Sequence, residues 1–157
     1  MNDTEEIGTL LQALGETVAR LQALARVPEA RWRRRPLDGG WSAAQILAHL
    51  RAADDIVAPR LLQVLARDEP PLPAFDERRW QDIAAYDARP PRELITAFAA
   101  RRAELIAALR RRPAGDWERA GIHETAGRQT LREIARALAA HEREHLEALE
   151  RLLAPFA

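Results

Sequence analysis

The sequence predicts an all-α fold, a four-helix bundle in which residues 1–157 form one domain. Three observations carry that expectation. Four long segments repeat apolar residues at three- and four-residue steps. Two of the segments open on a capping box. No alternating apolar run is long enough for a sheet.

The first helix is expected from about Thr4 to Arg26, where Ile7, Leu10, Leu11, Leu14, Val18, Leu21 and Leu24 make one apolar face and Pro28 ends it. A short turn from Glu29 to Arg34 follows, then a loop marked by Pro36, Gly39 and Gly40. Ser42 with Gln45 caps the second helix, and Trp41 and Ile46 occupy the staple positions around the cap. That helix should reach about Arg67, with a kink at Pro59. Residues 68–91 are rich in proline and long for a connection; a short helix near Glu77–Ala85 fits there, and the segment is expected to cover something. The third helix should run from Pro91 to about Arg112, and a loop holding Trp117, His123 and Gly127 follows. Thr130 with Glu133 caps the last helix, which continues to about Leu153 before Pro155 stops it.

Composition removes much chemistry. The 24 basic residues balance 24 acidic ones, and all 24 are Arg. Without Lys there is no Schiff base and no P-loop lysine; without Cys there is no disulfide, thiolate metal site or cysteine nucleophile. No stretch approaches the roughly 20 apolar residues of a membrane span. The acidic opening MNDTEEIGTL does not read as a signal peptide, so a cytoplasmic location is expected. His49, His123, His141 and His145 remain as groups that can work near neutral pH.

Three of these lie on helix stripes that should face inward. On the last helix Ile134, Leu138, His141, His145, Leu149 and Leu152 fall at helical steps, and the two histidines stand one turn apart. On the second helix His49 sits in the stripe of Ile46, Leu50, Ala53, Val57 and Leu61. Buried imidazoles without a shared ligand are poorly solvated, and helix bundles build metal sites from facing side chains. The pattern therefore predicts a divalent metal held by His49, His141 and His145, with Zn, Ni, Fe and Mn all compatible with three neutral nitrogens.

His141 to His145 also spells H-E-x-x-H. The extended protease motif would need Gly and His where Ala148 and Arg151 stand, and only 12 residues follow His145. The third ligand must come from upstream, and Glu142 reads as a solvated helix charge pairing with Arg neighbours. His123 reads as a loop residue with a local hydrogen bond that also lines the pocket. Arg31, Arg33, Arg34 and Arg35 and the run Arg110–Arg112 are too short, in a chain of zero net charge, to predict nucleic-acid binding. Arg101, Arg102 and Tyr86 are candidates for holding an anionic substrate.

Gly40-Trp41-Ser42-Ala43-Ala44-Gln45-Ile46-Leu47-Ala48-His49-Leu50 resembles the opening of the second helix in the DinB/YfiT-like superfamily. The stretch from Gly121-Ile122-His123 through Gly127, then Thr130-Leu131-Arg132-Glu133 and His141-Glu142-Arg143-Glu144-His145-Leu146, resembles its closing segment. The resemblance implies an up-down-down-up bundle, a divalent metal on three histidines matching His49, His141 and His145, and a homodimer, a form frequent in the family. Characterised relatives include bacillithiol transferases and mycothiol-dependent maleylpyruvate isomerase; others are described only as metal-dependent hydrolases. The leading expectation is thus a small-thiol S-transferase whose thiol arrives as a cosubstrate with a second small molecule. A hydrolase using metal-bound hydroxide and a non-catalytic ligand-binding bundle are the competing readings.

Overall fold

The computed structural model describes residues 3–154, so Pro155 and its expected helix stop lie outside the described residues. The order along the chain is α1 (Asp3–Leu24), α2 (Glu29–Trp32), α3 (Ala43–Ala66), β1 (Pro71–Leu72), α4 (Glu77–Ala84), α5 (Pro91–Arg110), β2 (Ala120–His123), β3 (Gly127–Thr130) and α6 (Leu131–Leu153). Short 3₁₀ turns at Tyr86–Ala88 and Ala114–Glu118 flank α5.

Both capping boxes form. Ser42 Oγ accepts from Gln45 N while Gln45 Oε1 accepts from Ser42 N, and Thr130 and Glu133 exchange the same pair of bonds. These caps set where α3 and α6 begin, and so fix the angular position of every histidine after them.

Around the bundle the order is α1, α5, α3, α6. Cross-helix pairs give the directions. Glu6 meets Arg132 and Arg20 meets Glu150, so α1 and α6 run parallel. Asp54 meets Arg102 at the middle of α3 and α5, with Leu47 and Leu50 beside Leu94 and Phe98 before it, and Leu61 and Val64 beside Leu105 and Leu109 after it; these two helices are parallel as well. His49 meets His141 while Ala53 and Val57 share a cavity with Leu138 and Ile134, so α3 and α6 are antiparallel. The bundle is up-down-down-up.

The hydrophobic core comes in two halves. One holds Leu14, Leu61, Leu109, Trp117, Leu131 and Leu138. The other holds Leu21, Trp32, Leu47, Phe98, Leu146 and Leu149. Between them each long helix contributes one polar residue: Thr17, Asp54, Arg102 and Glu142, all buried. Arg102 donates through Nη1 and Nη2 to Glu142 at 2.8 and 2.5 Å, and through Nη2 to Asp54 at 3.0 Å. Thr17 Oγ1 donates to Glu142 at 2.9 Å. Toward the surface Arg51, Arg101 and Asp55 extend the network, and Tyr86 and Trp80 donate to Asp55. Three carboxylates and three guanidiniums balance.

Two sequence expectations are corrected. A small three-stranded sheet exists, in the order β1-β2-β3, with β1 parallel and β3 antiparallel to β2. Its strands are two to four residues long and rich in Gly and Pro, so no alternation betrays them. Gly121 is required there: a Cβ would sit 2.7 Å from Leu72 and 3.0 Å from the Pro70 carbonyl. Glu142 is the second correction. It is 1 % exposed and paired with Arg102, forty residues away, instead of with neighbours on its own helix. The buried stripe of α6 runs Leu138, Glu142, Leu146, Leu149, which leaves His141 and His145 at its edge.

Removing one member of a buried charge network strands the others. Arg102→Met should therefore lower unfolding free energy by about 3–5 kcal/mol in urea titrations. Arg102→Met combined with Asp54→Leu and Glu142→Met should lie closer to wild type than the single variant does.

Candidate metal centre

Antiparallel packing of α3 on α6 brings three imidazoles together. His49 comes from the second turn of α3; His141 and His145 come from adjacent turns of α6. One ligand-capable nitrogen from each ring lies within 4.8 Å of those from the other two. His49 Nε2 and His141 Nε2 face each other at 3.0 Å. Ring centroids are 4.5–5.0 Å apart and the rings meet edge to face. His49 is buried, and the other two are half-buried.

The electrostatics favour neutral rings at His49 and His145. Burial lowers the pKa of His49 to about 4, helped by His145, His141 and Arg78. Burial, then His141, also lowers that of His145. Neutral imidazole is the form that binds a metal. The His49 Nδ1 atom is buried without a hydrogen-bond partner. Imidazole nitrogens converging from three rings on two packed helices fit a divalent cation.

Glu77, the first residue of α4, brings its Oε2 to 3.4 Å from His49 Nε2. Trp41 packs its ring 5.3 Å from the His49 ring, and the Arg78 guanidinium lies 5.0 Å over that indole. A cavity of about 270 Å³ starts at His141 and continues between α3 and α6 under the β2–β3 hairpin. Ala53, Val57, Ile134 and Leu138 form its walls, with Arg60, Glu77, His123 and Gln129 as its polar groups. A second cavity of about 290 Å³ lies on the α1 side of α6 and touches none of the three histidines.

His123 lines the first cavity and makes the expected local bonds, its Nδ1 accepting from Thr125 N and Ala126 N at 3.3 and 3.2 Å. It stays outside the three-histidine cluster. Arg101, Arg102 and Tyr86 do not await an anion: all three are committed to Asp54, Asp55 or Glu142. In the N-terminal basic cluster Arg33 is spent on Glu29 and the carbonyls of Asp87 and Ala88. Glu77 and Arg60 escaped the sequence reading because neither belongs to a motif; only the fold of the crossover and the length of α3 carry them to the site.

The model for the DinB superfamily matches residues 6–149. Among solved structures, YfiT from Bacillus subtilis, described as a probable metal-dependent hydrolase with an unusual four-helix bundle topology, superposes with a TM-score of 0.81 at 21% sequence identity. That match covers 96% of this chain and 89% of the other. No curated protein matches the sequence.

Protons compete with folding at this cluster. Two imidazoles with lowered pKa accept protons more readily when unfolded. Their stability contribution is complete above the ordinary value of 6.5 and is lost as pH falls toward about 4. Chelator-treated protein should lose up to about 3 kcal/mol through His49 over that window, from the roughly 1.4 kcal/mol that each pKa unit represents. Urea titrations at a series of pH values should show the slope in wild type and a flatter curve in His49→Phe.

Proposed function

The chain belongs to the DinB superfamily, and from that membership we propose that it is a metal-dependent enzyme with His49, His141 and His145 as its metal ligands. The convergence of three imidazoles, one of which, His141, lines an adjoining cavity with aliphatic walls, is the observation that carries the reading. A divalent ion held by these three histidines would supply Lewis acidity and so lower the pKa of a thiol or water.

The protein's own groups do the rest. Glu77 places negative charge beside His49 and so favours a cation among the three rings. Glu142 serves as no general base, since both of its oxygens accept hydrogen bonds from Arg102 or Thr17 and it has no path to the cavity. Instead it holds α6, and with it the adjacent His141, against α1 and α5. The apolar walls exclude water from the substrate's body while leaving the His141 end polar.

Thiol S-transfer to a small electrophile is the reaction we favour. The chain has no Cys, so the sulfur must come from a low-molecular-weight thiol in solution. The hydrolase description of the structurally similar YfiT supports metal-dependent hydrolysis as the second reading. A homodimer in the cytoplasm, with no nucleic-acid or membrane partner, completes the proposal; no helix among the described residues is long and apolar enough to cross a membrane.

Elemental analysis should find about one divalent ion per chain in wild type and far less in His49→Ala and His145→Ala, on the tridentate logic of the site. Equal, near-zero content in all three would end the metal reading. Glu77→Gln should weaken metal affinity roughly tenfold in competition with a chromophoric chelator. Turnover of an electrophile should require added thiol; turnover without thiol would select hydrolysis.

A further inference from the structure

The buried and half-buried arginines of this bundle are paired almost throughout. Arg51, Arg101 and Arg102 meet Asp54, Asp55 and Glu142; Arg132 meets Asp3, Glu6 and Glu118; Arg119 meets Asp68. Arg60 breaks that rule. It is half-buried and lines the cavity beside His141, yet forms no ion pair with any described carboxylate. Its Nη2 donates to the Pro73 carbonyl, its guanidinium lies 5.9 Å over the Phe75 ring, and its Nε is buried without a partner. Burial lowers its pKa, with only Glu77 acting the other way. Arg nevertheless stays charged in proteins.

Position gives this cation a direction. Ala53, Val57 and Arg60 follow one another at steps of four and three on the face of α3 that looks at α6. Arg60 lies eleven residues beyond His49, about 16 Å along the axis at 1.5 Å per residue, and helical side chains lean back toward the N-terminus. The cavity thus has His141 of the three-histidine cluster at one end, aliphatic walls, and a guanidinium without an ion-pair partner toward the other. Glu77 lines the same cavity, but its Oε2 lies 3.4 Å from His49 Nε2 and it forms no ion pair with Arg60.

We propose that this cavity is the substrate pocket and takes a small carboxylate with a short aliphatic body, its carboxylate on Arg60 and its opposite end toward the histidines. One guanidinium with its Nη2 held by a carbonyl has one charge and one planar donor edge to offer, which suits a carboxylate better than a phosphate dianion. The proposal rests on the metal-site reading only for what happens at the histidine end; recognition at Arg60 stands without a metal.

Ligand-observed NMR with hexanoate and hexanamide tests it on the full chain, with and without chelator. Hexanoate should bind at least tenfold more tightly than hexanamide, and chelation should leave the difference intact. Arg60→Gln should weaken hexanoate at least tenfold with unchanged metal content, and Arg60→Lys, which keeps the charge but loses the planar edge, should fall between Arg60→Gln and wild type. Ala137→Trp, an exposed position on the cavity rim, should block hexanoate while Arg60 remains in place. Hexanoate binding that survives Arg60→Gln, or that vanishes on chelation, would overturn the proposal by placing the carboxylate elsewhere or on the metal. Failure of the metal reading would appear separately, as absence of metal from wild type.

Discussion

A charged layer through the middle of the bundle is the constraint on which the rest depends. Arg102 is fully buried, and a buried guanidinium is tolerable only where carboxylates meet it. Asp54 and Glu142 do so from two other helices, and Thr17 closes the set from the fourth. An apolar core could slide by a turn at modest cost, because one leucine replaces another. This layer cannot slide, since any shift of one helix would leave a charge unpaired. It therefore sets the axial register of all four helices at once, and divides the core into its two halves.

The histidine cluster inherits its geometry from that register. His141 precedes Glu142, and His49 lies five residues before Asp54. Locking Asp54 and Glu142 to the same guanidinium holds α3 and α6 at the offset that brings His49 Nε2 and His141 Nε2 to 3.0 Å. Glutamate and histidines thus look in different directions from one helix, the former into the bundle, the latter toward α3 and the cavity. The H-E-x-x-H string marks a structural pair behind the site and two candidate ligands in front of it.

What could be read from the chain was local. Caps, proline stops and apolar periodicity place the long helices, and i,i+4 spacing with an inward His49 singles out the three imidazoles. The reading fails where partners are distant. Glu142 reads as a solvated charge because its partner lies forty residues away on α5, and the apolar stripe of α6 looks continuous without it. The β-strands are too short for any alternation to show, and they are stabilised by a parallel pairing between segments about fifty residues apart. Glu77 and Arg60 reach the cavity through tertiary packing alone. Arg101 and Arg102 misled for the converse reason: adjacent cations look available until Asp54 and Asp55 are seen against them.

Parallel packing of α3 and α5 has a consequence of a different kind. Two neighbouring helices that point the same way cannot be joined by a short turn, so residues 67–90 must travel back along the bundle. In doing so they lay Glu77 against His49 and bring Tyr86 and Trp80 onto Asp55. The three histidines thus sit on the scaffold, while Glu77 beside them sits on a strap whose length and composition the four helices hardly constrain. Such a division makes the strap a natural graft point: exchanging it would change the charge beside His49 while leaving in place the Arg102 contacts to Asp54 and Glu142 that set the register.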